Sequence, residues 1–339
     1  MKDKINICLI SDNNFVEYLS AAIISILKNS SNEDRFHFHI IEIDIENINK
    51  NKLIKLREIK YFDISFYKSD NINKYKNWMK KLKEIKPWIK HHYSIFIKLD
   101  IPFILKDLDN VLFLDADMLV LSSVSKFFEF DMSNYSLLVI QNDQKCLYWI
   151  NEEFENWMKE IGLRKRDYFG SSILFFNIKN IREKQGIQNI EKLSDECFEK
   201  YMNIIFTDEH ILYYIYRKMT VYVDFNLHIS LEWPEYAKKF DQYDIKVLNY
   251  AGLSKPLSLN NNGNIDDKYM IFWQYFSETP FFKENYFKYM NIFASNSPKK
   301  EINKLREAIN KIVDIIVYPI PFRKIRKSIR SKINNILNS

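Results

Sequence analysis

Short apolar runs alternate along the first half of the chain with segments whose apolar positions recur every three or four residues. Ile5–Ser11, Phe36–Ile43, Phe62–Tyr67, Val111–Asp117 and Ser136–Gln141 are predicted as strands. Phe15–Asn29 and Ile48–Ile59 carry helical spacing, and Trp88–Leu105 is helical in part, with a break at Pro102. This alternation predicts an α/β fold around a mostly parallel sheet. The middle of the chain is more mixed. Ser172–Ile178, Val221–Phe225 and Val247–Tyr250 are predicted strands, and Ile187–Met202 and Asp208–Arg217 predicted helices. Leu257–Lys268, with Asn260, Asn261, Asn262 and Asn264, is a predicted loop, and aromatic residues dominate Tyr269–Tyr289. No internal repeat is visible.

The last part has a different pattern. Ile302, Leu305, Ile309, Ile312, Val313 and Ile316 follow helical spacing until Pro319 and Pro321 interrupt it. Phe322, Ile325, Ile329, Ile333, Ile336 and Leu337 then line one face of a second predicted helix. From Lys299 onward there are 11 Lys and Arg against 3 Asp and Glu, a net of +8; the whole chain carries +6, so the residues before the tail carry −2. A basic helix with a narrow apolar stripe suits an anionic membrane surface. The alternatives are a helix packed on the body with a solvated basic face, or a nucleic-acid contact. No reader motif accompanies the latter, so no nucleic-acid partner is expected. The boundaries expected are a domain over 1–290 and a tail over 298–339.

Candidate chemistry begins where one strand pattern is interrupted. Asp115 and Asp117 follow the apolar run Val111–Leu114 and precede Met118–Leu121. Residues two apart on a strand point the same way, so both carboxylates aim at one spot beside a strand end. Two unpaired anions there would be costly or would shift their pKa values. A divalent cation resolves the conflict; Mn²⁺ or Mg²⁺ takes such oxygen ligands and commonly holds a diphosphate. The plainer alternative is a solvated loop with two surface acids. Ligands of open α/β sheets bind beyond the carboxyl ends of the strands, where Asp12 and Asn14 also fall.

Composition narrows the choices. A chain of 339 residues that is 47 % apolar and 16 % aromatic can bury a substantial core, as one large domain or two smaller ones. Only 5 glycines are present, and neither GxGxxG nor GxxxxGK[ST] occurs, so a nucleotide must be held without a glycine-rich loop. Cys8, Cys146 and Cys197 are scattered, with no CxxC and no Cys/His cluster, which argues against a disulfide framework or a zinc site and fits a reducing cytoplasm. Met1–Lys4 opens no signal-peptide pattern, and no apolar stretch of about 18 residues is present.

Six segments, taken in order, carry a resemblance. They are Ser11-Asp12-Asn13-Asn14-Phe15 with Tyr18-Leu19, Lys98-Leu99-Asp100-Ile101-Pro102, Leu114-Asp115-Ala116-Asp117, Tyr168-Phe169-Gly170-Ser171-Ser172, Thr207-Asp208-Glu209-His210-Ile211-Leu212, and Val247-Leu248-Asn249-Tyr250-Ala251-Gly252-Leu253-Ser254-Lys255-Pro256. Their order and rough spacing, from about Ile5 to about Glu284, resemble the family 8 glycosyltransferases, especially bacterial enzymes that add hexoses to lipopolysaccharide. The resemblance implies a GT-A fold, with one Rossmann-like mixed sheet flanked by helices. It also implies a UDP-sugar donor, a divalent metal that is usually Mn²⁺, and retention of anomeric configuration.

By that resemblance Asp12 accepts from uracil and Asn14 lies by the nucleotide, although Asp12 or Asn13 could instead cap the following helix. Asp115 and Asp117 ligate the metal. Lys98 stands where the family has Arg, and either neutralises a phosphate or pairs with an acid near the metal. Gly170 and Ser172 replace a sugar-contacting Asn and a Gly. Asp208 binds donor hydroxyls, and Glu209 takes the place of a Gln that faces the anomeric carbon. There it stabilises or attacks that centre, unless Thr207 caps a helix and Glu209 only favours its first turn. His210 reads as a packed or surface histidine. Asn249 replaces a metal-binding His, and Leu257 a Trp. Gly252 and Lys255 are kept, to approach and neutralise the leaving diphosphate.

The expected activity is metal-dependent transfer of a hexose, galactose or glucose, to a lipid-linked or other glycan. The expected location is the inner face of a bacterial inner membrane, held by the tail. The rival reading is a catalytically decayed relative that binds nucleotide-sugar or scaffolds at the membrane. A sugar-nucleotide hydrolase is a third.

Overall fold

The structure, a computed structural model, describes residues 4–141, 147, 150–205, 207–223, 229–230, 247–250, 255–258, 267–296 and 331. The chain divides into two compact units, Met1–Leu253 with Phe272–Glu284, and Ser254–Ile271 with Asn285–Ser339.

The first unit is built on a seven-stranded sheet. Its strands are β1 (Ile5–Asp12), β2 (Phe36–Ile43), β3 (Asp63–Tyr67), β4 (Asn110–Leu114), β6 (Leu137–Gln141), β7 (Phe169–Asn177) and β8 (Thr220–Val223), and their order across the sheet is β3-β2-β1-β4-β7-β6-β8. β1 runs parallel to β2 and β4, β2 to β3, and β6 to β8; β7 is antiparallel to both β4 and β6. Most of the expected strands are therefore present, in a mixed sheet. A second, three-stranded sheet pairs β5 (Met118–Val120) with β10 (Val247–Asn249), and β10 with β9 (Ile229–Ser230).

Central strands buried on both faces explain the unbroken apolar runs: Ile7, Cys8 and Leu9 of β1 and Val111, Leu112 and Phe113 of β4 are fully buried. Helix α1 (Val16–Lys28) buries nearly every residue from Val16 to Leu27. α2 (Asn47–Lys55) is shorter than expected, because a 3-10 turn, Leu56–Glu58, completes it. The sequence reading missed α3 (Ile72–Ile85). Its buried Tyr75, Trp78, Met79 and Leu82 form a proper helical stripe, but the five lysines among them dilute the apolar signal. Pro102 does not break a helix. It occupies the first turn of α4 (Ile101–Ile104), where the missing N–H costs nothing, after a 3-10 segment over Tyr93–Asp100.

Helices α5 (Glu152–Glu160), α6 (Ile187–Tyr201) and α7 (Asp208–Tyr216) complete the cover, and Trp78 of α3 stacks on Phe198 of α6 with ring centroids 4.2 Å apart. α8 (Asp267–Phe276) begins inside the predicted Asn-rich loop; α9 (Pro280–Glu284) follows in the first unit and α10 (Tyr286–Asn296) in the second. The tail helices read from Ile302 to Leu337 lie outside the described residues, Leu305 to Ile329 included. Among the described residues no helix is long and apolar enough to cross a membrane.

Candidate active site

β1 and β4 are parallel neighbours, with Cys8 opposite Phe113, so Asp12 and Asp115 emerge from the same edge of the sheet. The order β2-β1-β4 places this edge where the connections change direction, the usual position of a ligand crevice. β7 runs the other way, so its first residues come to the end of β4: Leu114 pairs with Ile173, and the Asp115 N–H donates to the Ser172 carbonyl at 3.0 Å.

Asp115 itself lies past the last residue of β4, and Ala116–Asp117 turn the chain into β5. The expectation that a strand pleat aligns the two carboxylates is thus corrected: a turn carries them. Nor are they two uncompensated anions. The ammonium of the buried Lys98 is 3.1 Å from Asp115 Oδ1 and 3.4 Å from Asp208 Oδ2. It donates to Ser171 Oγ at 3.0 Å and to the Ser171 carbonyl at 3.2 Å, and lies 5.2 Å from the centre of the Phe113 ring. Burial alone would pull the Lys98 pKa down; Asp115 and Asp208 outweigh it and hold it above the usual lysine value. Burial pushes the Asp115 carboxyl up to about 6, with Asp117 and Asp208 adding to the rise and Lys98 opposing it.

Asn249 reaches the turn through the second sheet. It pairs with Met118 across β10 and β5, and the next N–H, of Tyr250, donates to the Asp117 carbonyl at 3.1 Å. The Asn249 side chain is buried; its Nδ2 donates to Ser172 Oγ at 3.1 Å, while Oδ1 has no hydrogen-bond partner among the described residues. A buried amide oxygen without a donor is an uncommon and costly arrangement. Among the described residues no three His, Cys, Asp or Glu side chains cluster as a metal site. A set of two carboxylates and one amide oxygen falls outside that chemistry but within what Mn²⁺ and Mg²⁺ accept.

The N-terminus of α7 supplies the other acids. Asp208 is buried, and its Oδ2 contacts Lys98 as an ion pair without hydrogen-bond geometry. Thr207 stands at the cap position in an extended conformation, but it does not cap: its hydroxyl is 2.9 Å from Nδ1 of His210. His210 is a core residue, packed against Phe154 and Trp157, and burial pulls its pKa down to about 3. Glu209 does more than favour a helix start. Its Oε1 accepts the Ser171 N–H at 3.1 Å and its Oε2 accepts the Tyr168 hydroxyl. Burial, then the charge of Asp208, push the Glu209 carboxyl up to about 7.

Asp12 does not cap α1, whose cap position is Phe15 without a side-chain hydrogen bond, but shapes the turn before it. Its Oδ1 accepts from the N–H groups of Asn14 and Phe15, both at 2.9 Å, and turns the chain into α1. Asn13 does not share this work; its Oδ1 accepts from Glu46 N–H and Asn49 Nδ2, anchoring the start of α2. Asn14 is exposed beside them, and Gly170 lies half-buried in β7. Gly252 falls outside the described residues, and Lys255 belongs to the second unit, where its carbonyl accepts from Ser258 N–H at 3.0 Å. Tyr168 and His91 were not singled out from the sequence. His91 stands within electrostatic reach of Asp208 and Lys98, and nothing in its local sequence signals that.

The Glycosyl transferase family 8 model matches residues 6–258, well over half of the chain and all six motif segments. The chain belongs to glycosyl transferase family 8. Its fold is the GT-A fold. A putative glycosyltransferase of Haemophilus influenzae is 27 % identical over 211 residues, which cover 61 % of this chain and 58 % of that protein. General stress protein A of Bacillus subtilis is 22 % identical over 293 residues, 81 % of this chain and 95 % of the relative. Among solved structures, galactosyltransferase LgtC in complex with donor and acceptor sugar analogs superposes with a TM-score of 0.63 at 19 % identity, covering 81 % of this chain and 96 % of LgtC. The bifunctional glycosyltransferase WbbM, in its apo form, gives a TM-score of 0.62 at 17 % identity, covering 86 % of this chain and 52 % of WbbM. The chain thus spans little more than half the length of the Haemophilus relative and of WbbM, and the structural likeness concerns the fold.

Proposed function

We propose that this glycosyltransferase moves a hexose from a UDP-sugar to a lipopolysaccharide-type glycan with the help of a divalent metal. The observation that carries the metal site is the buried Asn249 Oδ1, which lacks a donor and is tied through Ser172 and Tyr250 to the turn holding Asp115 and Asp117. Those three side chains would hold Mn²⁺ or Mg²⁺; once bound, the ion offsets negative charge on the departing diphosphate. Lys98 supplies a fixed positive charge at the same place, balancing Asp115 and Asp208 in the absence of other cations. Asp208 binds donor hydroxyls, and Glu209 presents a carboxylate to the anomeric carbon. Asp12 keeps one oxygen on the α1 turn, which fixes the other relative to β1 for a uracil N–H. Gly252 and Lys255 serve the leaving diphosphate.

Galactose or glucose is the donor sugar this reading favours, with retention of configuration. The likeness to LgtC, bound to donor and acceptor sugar analogs, supports a glycan acceptor, as does the family itself. The basic tail after Lys299 holds the enzyme on the anionic inner face of a bacterial inner membrane, beside a lipid-linked acceptor. A melting-temperature screen with UDP, UDP-glucose and UDP-galactose, each with and without Mn²⁺, tests the core of the proposal. Metal-dependent stabilisation by UDP is expected. Its absence would leave the non-catalytic reading, and UDP release that ignores added acceptor would favour a hydrolase.

A further inference from the structure

The Tyr168 hydroxyl is buried beside a carboxylate that its position in the chain does not announce. Tyr168 precedes β7, Glu209 sits in the first turn of α7, and the antiparallel course of β7 against β4 brings both to the edge where Asp115 lies. Both Glu209 oxygens accept a hydrogen bond: Oε2 from the Tyr168 O–H and Oε1 from the Ser171 N–H, which can only donate. Ser171 also accepts from Lys98 through its hydroxyl and its carbonyl, so one residue joins the Glu209 clamp to the Lys98 bridge between Asp115 and Asp208.

We propose that Tyr168 is a positioning residue of the transfer reaction, which together with the Ser171 N–H keeps Glu209 ionised and aimed for work at the anomeric carbon. The inference rests on the role assigned to Glu209 in the proposed function. It holds whether the carboxylate stabilises a developing positive charge or forms a bond to the carbon as the bond to the diphosphate oxygen breaks and UDP departs with that electron pair. Both require an anion in a fixed orientation.

The groups around Glu209 pull in opposite directions. Burial and Asp208 favour the protonated form; Tyr168, the Ser171 N–H and Lys98 favour the anion. Tyr213, from the same helix, also faces it, and its hydroxyl is occupied by the backbone carbonyl of Phe169 at 2.6 Å. Burial and the neighbouring Glu209 charge hold the Tyr168 hydroxyl well above the usual tyrosine range, so it remains a donor at every working pH. Removing that one donor therefore tips Glu209 toward the protonated form.

The test is Tyr168→Phe, which keeps the ring packed against Phe154 and Tyr213 and deletes only the hydroxyl. With Mn²⁺ and a UDP-hexose, kcat at pH 7 is expected to fall roughly five-fold and to recover at higher pH, with the acid limb of the kcat profile displaced upward by about one unit. The donor KM stays within about two-fold. Glu209→Asp, which withdraws the carboxylate from both donors, is expected to lose kcat and to make Tyr168→Phe silent when the two changes are combined. A Tyr168→Phe profile that overlays wild type would overturn the inference. If wild type turns over no UDP-hexose, the proposed function fails, and the clamp is read alone by NMR titration of the Glu209 carboxyl: an unchanged midpoint in Tyr168→Phe overturns it.

Discussion

Lys98→Met removes a buried cation and keeps most of its apolar stem. Two carboxylates lose their partner at once, one at 3.1 Å and one at 3.4 Å. At an effective dielectric of about 20, each attraction is about 5 kcal/mol before the cost of burying the charges. Deleting one member of a buried pair typically costs about 3–5 kcal/mol, because the other is left buried and unpaired. The Asp115 side chain is 31 % exposed and the Asp208 side chain 5 %, so solvent screens part of the Asp115 share and the low end, about 3 kcal/mol, is the better figure. At roughly 2–4 °C per kcal/mol, this lowers the melting temperature at pH 7.5 by roughly 6–12 °C.

The deficit must also depend on pH. The folded-state pKa of Asp115 is raised from the ordinary 3.8 to about 6, so its favourable contribution is complete below the unfolded value and is lost as pH rises through about 6. Lys98 opposes that rise, and removing it moves the folded value further up. At pH 5 Asp115 in the variant is neutral and no longer needs a cation, so its share of the deficit, up to about half, should disappear. Urea unfolding of both proteins at pH 5 and pH 7.5, in buffer containing EDTA, measures it. A variant as stable as wild type at pH 7.5, or one with the same deficit at both pH values, would refute the electrostatic account of Lys98.

Three further outcomes follow from other parts of the site. Asn249→Ala deletes the buried amide oxygen and should weaken Mn²⁺-dependent stabilisation by UDP at least about ten-fold, whereas Asn249→His should restore it; titrating Mn²⁺ against melting temperature reads both. Asp12→Asn retains an oxygen to accept from Asn14 and Phe15, so stability should change by less than about 1 kcal/mol while UDP affinity falls, which calorimetry separates from Asp12→Ala, where the turn is lost too. Truncation after Lys299 should abolish flotation with anionic vesicles and leave transfer to a soluble acceptor intact; binding that persists would remove the tail from the account of membrane attachment.

Much of this arrangement was legible locally. β1, β2 and β4 declare themselves as apolar runs because both faces of a central strand are buried, and α1 does so by spacing. Asp115 and Asp117 stand out because charges interrupt such a run. α3 was not legible: its exposed face is dense in lysine, and the stripe of Tyr75, Trp78, Met79 and Leu82 is hidden by composition. β7 starts at Phe169 and not at the predicted Ser172, and the segment Tyr168–Ser172, though part of the resemblance, gave no role to Tyr168 or Ser171.

The sequence by itself determined the alternation of elements, the carboxylates at the strand ends and the order of motifs that leads to glycosyl transferase family 8. These depend on neighbours a few residues apart. Only the tertiary structure decided how the carboxylates are neutralised. Lys98 meets Asp115 and Asp208, and Glu209 meets Tyr168 and Ser171, because β7 returns antiparallel along β4 and sets the start of one against the end of the other. Asn249 reaches the same turn through the pairing of β10 with β5. Such contacts are fixed by strand register and burial over long separations in the chain, and no local pattern encodes which side chains will share a low-dielectric space.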